Sequence, residues 1–286
     1  MTPSQFSVRQ LLKVPTGPVT LTDCDARATP GAPGGRNRTK GALAEAGSRL
    51  AELQERLYAE GHVAEGEPAR RRLLLVLQGM DTSGKDGTIK HVLGAVNPLG
   101  CSIAAFKKPT PAELRHDFLW RIRRRVPTAG MIGIFNRSHY EDVLIARVHG
   151  LAPPQVIEKR YGRIDEFEEE LTADGVTLVK VFLHISPEEQ RERLLARLAD
   201  PAKHWKFNAA DLAERKLWAD YRAAYEVALE RCNTVAAPWY LVPADRKWYR
   251  NWAVGALLIE TLEEMSPRYP QPDLDIPALT AELEAG

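Results

Sequence analysis

The segment Leu77–Lys90, LQGMDTSGKDGTIK, sets Gly79, four intervening residues, Gly84 and Lys85 in a row behind the apolar run Leu73-Leu74-Leu75-Val76. That spacing matches the phosphate-binding pattern G-x-x-x-x-G-K-[ST]. In this pattern a buried strand feeds a turn whose amide N–H groups surround phosphate oxygens, and the lysine places a point charge on the terminal phosphates. Gly79, Thr82, Ser83, Gly84, Lys85, Asp86, Gly87 and Thr88 are therefore the candidate phosphate- and nucleotide-binding residues. Asp86 departs from the pattern: the usual Ser/Thr hydroxyl binds Mg²⁺, so a metal must draw oxygen ligands from elsewhere. Asp81 is the first candidate, because a carboxylate among phosphate-binding amides repels the ligand unless a cation stands between them. It could also accept a hydrogen bond from a hydroxyl, or simply cap the following helix.

A second cluster, Phe135-Asn136-Arg137-Ser138-His139-Tyr140-Glu141-Asp142, ends the apolar run MIGIF at 131–135. Phosphate-loop enzymes hold the metal with an acid at the end of a neighbouring strand. Here that position is Asn136, and Glu141 and Asp142 are the nearest replacements. Arg137 can fork onto a phosphate and neutralise charge developing on its equatorial oxygens; an ion-paired surface cluster would have the same composition. A third cluster joins Arg191, Arg193 and Arg197 to DPAKHWKF at 200–207. Pro201 and its charged, aromatic-dotted surroundings interrupt two helices, as a phosphate-covering lid does, so Arg197, Lys203 and Lys206 are candidate lid cations over about 187–215. Helical arginines also make solvated faces. Lys107-Lys108 and Arg121-Ile122-Arg123-Arg124-Arg125 form another strip where a polyanion could run, or a helix end suited to its dipole. There is no H-E-x-x-H or G-x-S-x-G and the seven histidines are scattered, so hydrolase chemistry has little support.

These clusters need a frame. RRLLLVLQ (71–78), SIAAF (102–106), MIGIF (131–135), VTLVKVFLHI (176–185) and WYLV (239–242) read as five buried strands. Helical patterns fall at 41–60, 85–95, 111–125, 153–172, 187–198, 208–231 and 246–264. Alternating strands and helices predict an α/β fold with a parallel sheet between helices, and ligands in such sheets sit beyond the strands' carboxyl ends. TPGAPGGRNRTK at 29–40 cannot sustain regular structure, so residues 1–40 read as an extension and 41–286 as the catalytic domain.

At 286 residues the chain can bury one sizeable core. Net charge is +1 from 39 basic and 38 acidic residues, which argues against a nucleic-acid-coating surface. Any polyanion site must be a local concentration of cations. Cys24, Cys101 and Cys232 are odd in number and far apart, which speaks against disulfides and a cysteine metal site and for a reducing cytoplasm. Met1–Pro15 has no apolar h-region and no stretch approaches 18 apolar residues, so neither a signal peptide nor a membrane partner is expected.

GMDTSGKDGT, FKKPT, FNRSHYEDV, DPAKHWKF and APWYLVPADRKWYRNW occur in this order over 41–269, and together they resemble the polyphosphate kinase 2 family. The resemblance implies a P-loop kinase fold of five parallel strands with a helical lid. It also implies inorganic polyphosphate as phosphate donor, AMP and ADP as acceptors, Mg²⁺ or Mn²⁺ as cofactor, and a homo-oligomer. It makes Asp81, Lys85 and Arg137 catalytic, with Arg197 as a catalytic lid arginine; Asp81, Glu141 and Asp142 stay the metal candidates offered by the residues themselves. Members that act mainly on ADP read F-D-R-S-x-Y-N-R, whereas this chain has Asn136, His139, Glu141 and Asp142, like the class III subgroup that phosphorylates both AMP and ADP. An ATP-dependent nucleoside monophosphate kinase would share loop, lid and fold, and a silent nucleotide- or polyphosphate-binding regulator would share the loop.

Overall fold

The five apolar runs become the five strands of one wholly parallel sheet in the computed structural model, which describes residues 7–62, 70–94, 96–271 and 273–285. In chain order the elements are α1 (Val8–Leu12), α2 (Arg36–Glu60), β1 (Arg72–Gln78), α3 (Lys85–Val92), β2 (Cys101–Ala105), α4 (Trp120–Arg123), β3 (Ile132–Asn136), α5 (Ile145–Val148) and α6 (Pro154–Ala173). They continue with β4 (Val176–His184), α7 (Pro187–Leu198), α8 (Ala210–Lys216), α9 (Trp218–Arg231), β5 (Trp239–Pro243), α10 (Lys247–Met265) and α11 (Ile276–Ala285).

The strand order is β2-β3-β1-β4-β5, so the chain leaves central β1 toward one edge and later returns to fill the other. A crevice opens at that switch point, beyond the strands' carboxyl ends. Leu77 pairs with Asn136, which brings the loop after β1 and the segment after β3 side by side. Strand periodicity sends alternate side chains of β1 to opposite faces. Leu74 and Val76 join Ile157, Tyr161, Ile164 and Phe167 of α6 and Ala224, Tyr225 and Leu229 of α9. Leu73, Leu75 and Leu77 join Leu50, Leu53 and Leu57 of α2, Val92 of α3 and Leu257, Leu258 and Leu262 of α10. A strand covered on both faces has no polar side, which is why β1 is an unbroken apolar run.

The structure corrects several expected boundaries. The Pro/Gly stretch ends at Gly35, and α2 starts at Arg36, five residues earlier than expected, with Thr39 Oγ1 donating to Gly34 O at 2.9 Å. The segment before it is an embedded strap: Val8, Leu12, Val14 and Leu21 are buried, Val14 N donates to Trp239 O at 2.8 Å, and Glu260 accepts the Val8 and Arg9 amides at 2.8 and 3.0 Å. Residues 1–6 of the expected extension lie outside the described residues, as does Ala95 at the end of the helix expected over 85–95, which stops at Val92. The helix expected over 111–125 is only a 3₁₀ turn and the single turn of α4. Thr110 and Glu113 cap each other's amides, and Asp117 Oδ1 accepts Leu119 N at 3.0 Å, so each local cap starts a new turn instead of continuing the last. The pattern at 208–231 is split at Leu217 into α8 and α9.

A buried polar cluster supports the segment after β3. Lys180 Nζ on β4 donates to Glu168 Oε2 at 2.6 Å, Tyr140 OH at 2.9 Å and Cys232 O at 2.6 Å. Glu168 Oε1 also accepts Tyr140 OH at 2.8 Å and lies 3.2 Å from His139 Nε2. Burial alone would raise the Glu168 pKa, but Lys180 and His139 outweigh it and hold the carboxyl below its ordinary value. Removing one partner of such a pair leaves an uncompensated buried charge. Lys180→Met is therefore expected to cost ~3–5 kcal/mol, and Lys180→Met/Glu168→Leu clearly less. Urea unfolding checks this; a double variant as unstable as the sum of the two singles would contradict it.

Candidate active site

The turn after β1 takes a shape that its residues have to permit. Gly79 has φ +150°, Thr82 +65° and Gly84 +105°, and the turn delivers the chain into α3 at Lys85. Lys85 is buried and folds back over the loop, its Nζ donating to Gly79 O at 2.6 Å and Met80 O at 3.3 Å. Burial, then the charge of Arg137, lowers its pKa to about 8 against the opposing pull of Asp81, Glu141 and Asp86. Among the described residues the hydroxyls of Thr82 and Ser83 are buried with no hydrogen-bond partner, which suits a loop whose ligand carries many acceptor oxygens. Thr88, also expected in the site, is instead turned inward, its Oγ1 donating to Gly84 O at 3.1 Å.

Two arginines brace the loop from behind. Arg193 Nη1 on α7 donates to Thr82 O and Ser83 O at 2.8 and 3.0 Å, while its Nη2 reaches Ala244 O and Asp245 O at 2.6 and 3.0 Å. Arg250 Nη1 on α10 donates to Ser83 O at 3.1 Å, and its Nε and Nη2 bind Asn251 Oδ1. Burial, followed by the neighbouring Arg193 charge, pushes Arg250 down to about 9. Tyr225 OH accepts the Gly79 amide at 3.2 Å, and Gln190 Nε2 donates to Asp81 O at 3.1 Å. Arg193, expected among the lid arginines, is instead a brace, and the bracing roles of Arg250, Tyr225 and Gln190 are visible only in the fold. For Arg250 the available signal was the motif APWYLVPADRKWYRNW that contains it.

The second cluster meets the loop head-on. Arg137, at φ +65°, sets Nη2 2.9 Å from Asp81 Oδ1 and Nη1 3.3 Å from Glu141 Oε2. Asn136 Nδ2 donates to Asp86 Oδ1 at 2.7 Å, so the two departures from the usual pattern form one contact. Asp81, Arg137 and Glu141 line a cavity of ≈ 240 Å³ whose opposite wall is Asp211, Glu214 and Tyr221 of the lid side. Asp142 is not brought there. Its carboxylate oxygens lie 3.7 Å from Arg121 and 3.8 Å from Arg160, because the 3₁₀ turn His139–Asp142 points adjacent side chains apart.

The lid begins crisply: Ser186 Oγ accepts Glu189 N at 3.1 Å and Pro187 opens α7. Arg197 Nη1 lies 3.7 Å from Asp211 Oδ2 and donates to Lys206 O at 3.4 Å, so it reaches the cleft edge through Asp211 rather than touching the loop. Lys203 pairs with Asp200 at 2.5 Å, and Lys206 Nζ lies 4.8 Å from the Trp205 ring centroid, both on the exposed turn Pro201–Lys206. The Arg121–Arg125 strip is largely engaged: Arg121 is buried and donates to Lys107 O, Arg123 pairs with Glu170, and Arg124 covers Trp120.

Among the described residues no three His, Cys, Asp or Glu side chains gather as a metal cage. Mg²⁺ does not need one, since it is ordinarily held by one or two carboxylates together with substrate phosphates. Asp81, half-exposed at the mouth of the loop with only Oδ1 taken by Arg137, suits that role; Glu141 is close by and Asp142 is not.

The family model of polyphosphate kinase 2 matches residues 35–270. The chain is 49% identical over 259 residues to an AMP/ADP-polyphosphate phosphotransferase of Meiothermus ruber, covering 91% of this chain and 94% of the relative. It is 45% identical over 239 residues to an ADP-polyphosphate phosphotransferase of Rhodopseudomonas palustris, 78% of each. The crystal structure of polyphosphate kinase 2 from Arthrobacter aurescens TC1 aligns with a TM-score of 0.94 at 49% identity over 98% of both chains.

The bracing arrangement has a direct consequence. A Cβ on Gly84 would fall 1.6 Å from Arg250 Nη1 at a backbone angle that L residues rarely adopt. Gly84→Ala is expected to cost ~2 kcal/mol of stability and to weaken pyrophosphate binding about tenfold or more. Thermal unfolding and calorimetric titration check both, and wild-type affinity in the variant would show that the loop does not depend on Arg250 beneath it.

Proposed function

The chain belongs to the polyphosphate kinase 2 family, and on that premise we propose that it transfers the terminal phosphate of inorganic polyphosphate to AMP and ADP, giving ADP and ATP. The observation that carries this reading is the facing of the two clusters. Lys85 and the loop amides form a cradle for a phosphate chain, and Arg137 lies across the gap between that cradle and the acceptor cavity.

The chemistry asks little of the protein beyond placement. One P–O–P bond of the donor breaks as one forms on the nucleotide phosphate, and the shortened polyphosphate leaves with the bridging oxygen. A phosphoanhydride replaces a phosphoanhydride, so the reaction is reversible and close to balanced. The attacking phosphate oxygen is already ionised at neutral pH and needs no strong base. Catalysis is then in-line positioning with neutralisation of the equatorial oxygens by Lys85 and Arg137. To reach the phosphoryl group Arg137 must loosen its contacts with Asp81 and Glu141, which hold it ready beside the loop. Asp81 would hold Mg²⁺ or Mn²⁺, which would offset charge on the donor and acceptor phosphates. Of the residues that set this chain apart from F-D-R-S-x-Y-N-R, Asn136 and Glu141 are at the cleft, whereas Asp142 is paired behind it. Support for a homo-oligomer in the cytoplasm is the family resemblance; among the described residues no helix is long and apolar enough to cross a membrane.

Incubation with AMP, polyphosphate and Mg²⁺ but no ATP is expected to give ADP and then ATP, and Asp81→Asn to lower kcat ~10²-fold or more. A requirement for ATP as donor would favour a nucleoside monophosphate kinase. Acceptance of ADP alone at saturating AMP would remove the AMP half of the reading. An Asp81→Asn enzyme with unchanged rate and metal dependence would remove the metal role.

A further inference from the structure

β1 is apolar from Leu73 until its last residue, Gln78. Gln78 continues the face on which Leu74 and Val76 meet α6 and α9, and it is fully buried, so a polar side chain there is costly unless its hydrogen bonds are met. They are met by residues of the active site. Gln78 Nε2 donates to Ser138 Oγ at 3.1 Å, and Gln78 Oε1 accepts the Tyr225 hydroxyl at 3.4 Å. That hydroxyl in turn accepts the Gly79 amide at 3.2 Å. One buried relay therefore runs from the first amide of the phosphate loop, through Tyr225 and Gln78, to the residue that follows Arg137.

The far end of the relay lies where the backbone needs support. Arg137 stands at φ +65°, a left-handed conformation that a residue with a Cβ adopts only when its surroundings impose it. On the entry side its own amide donates to Leu77 O at 3.1 Å. On the exit side Ser138 is buried, its Oγ accepting Gln78 Nε2 and, at 3.2 Å, the Tyr140 amide, while its carbonyl accepts the Glu141 amide at 3.2 Å. Two consecutive residues of β1, Leu77 through its carbonyl and Gln78 through its side chain, thus clamp Arg137 between them. Ser138 also caps the 3₁₀ turn that carries Glu141. The Arg137 side chain, by contrast, is held by partly exposed pairs with Asp81 and Glu141, which loosen if it turns to a phosphate. After that exchange the place of the guanidinium is set by its backbone.

We infer that Gln78 is a positioning residue for phosphoryl transfer: by holding Ser138 it fixes where Arg137 stands, and through Tyr225 it ties that position to the start of the phosphate loop. The inference rests on Arg137 neutralising the transferring group. A misplacement of about 1 Å can cost on the order of 10²-fold in rate. The cradle itself is braced by Arg193 and Arg250 and does not depend on Gln78 for its place, so the loss falls on kcat rather than on polyphosphate KM.

ATP formation from ADP and polyphosphate, read by luminescence, tests this in a cycle of wild type, Gln78→Met, Arg137→Ala and the double variant. Gln78→Met keeps the length of the side chain and removes its hydrogen bonds. It is expected to lower kcat about tenfold or more and to change the KM of polyphosphate and of ADP less than about twofold. In the Arg137→Ala background the same substitution should lower kcat less than about twofold, because no guanidinium is left to misplace. Ser138→Ala, which removes the shared acceptor oxygen, should repeat the pattern in the same cycle, so the result does not depend on one variant folding. A Gln78→Met enzyme with wild-type kcat overturns the inference. An equal fall in kcat in both backgrounds also overturns it, since that would mean a general loosening of the fold. An Arg137→Ala enzyme with wild-type kcat would instead refute the role of Arg137 on which the inference rests.

Discussion

The structure is organised around positive charge kept out of water before its anion arrives. Lys85 is buried against loop carbonyls, and Arg250 beneath it has, among the described residues, no carboxylate as a hydrogen-bond partner. Both pKa values are depressed, chiefly by burial. Holding cations in this way is costly unless their hydrogen bonds are met and a counter-charge is at hand. The loop carbonyls meet the hydrogen bonds, and on the proposed reading a phosphate oxygen would supply the charge. β1 sets the loop at the switch point, α7 and α10 supply the bracing arginines, and Gly84 has no side chain because Arg250 occupies the space. Phosphate bound here, as proposed, would complete an arrangement that is already built.

The acids near this cradle are placed to complement it without closing it. Asp86, where a hydroxyl is usual, accepts a hydrogen bond from Asn136, where an acid is usual. The negative charge has in effect moved from the strand end into the loop, where it helps keep Lys85 protonated. Asp81 and Glu141 hold Arg137 from either side, so the arginine stands beside the loop in a fixed place without being buried. These contacts are partly solvated and individually weak, which lets them exchange for phosphate contacts.

What the sequence disclosed follows from the range over which each feature is determined. The central strands were legible because strands covered on both faces must be continuous apolar runs, whereas β2, also expected to be buried, is an edge strand with Ile103 exposed and was legible only by its apolar composition; the loop was legible because its chemistry lies in consecutive residues. Arg193 and Arg250 were not legible as supports: they bind loop carbonyls from 111 and 167 residues away, and a backbone acceptor leaves no side-chain signature. Glu141 and Asp142 looked equivalent because they are adjacent and alike, and only the 3₁₀ turn separates one into the cleft and the other onto Arg121 and Arg160. The strap before α2 was read as an extension because the Pro/Gly stretch at 29–40 separates it from the rest, and its few buried residues, Val8, Leu12, Val14 and Leu21, include only the one helical pair of the five-residue α1. The helix expected over 111–125 failed because capping side chains at Thr110, Glu113 and Asp117 restart the chain locally.

If the cradle is a preformed cationic site completed by phosphate, the ammonium of Lys85 must report it. NMR titration of protein carrying ¹³C-labelled lysine, assigned with Lys85→Arg, measures that one group with and without pyrophosphate. The account predicts a Lys85 pKa near 8 in the free protein, well below the ordinary 10.5, and a clear rise when the anion is seated. A Lys85 that titrates at its ordinary value in the free protein and does not move on binding would contradict it.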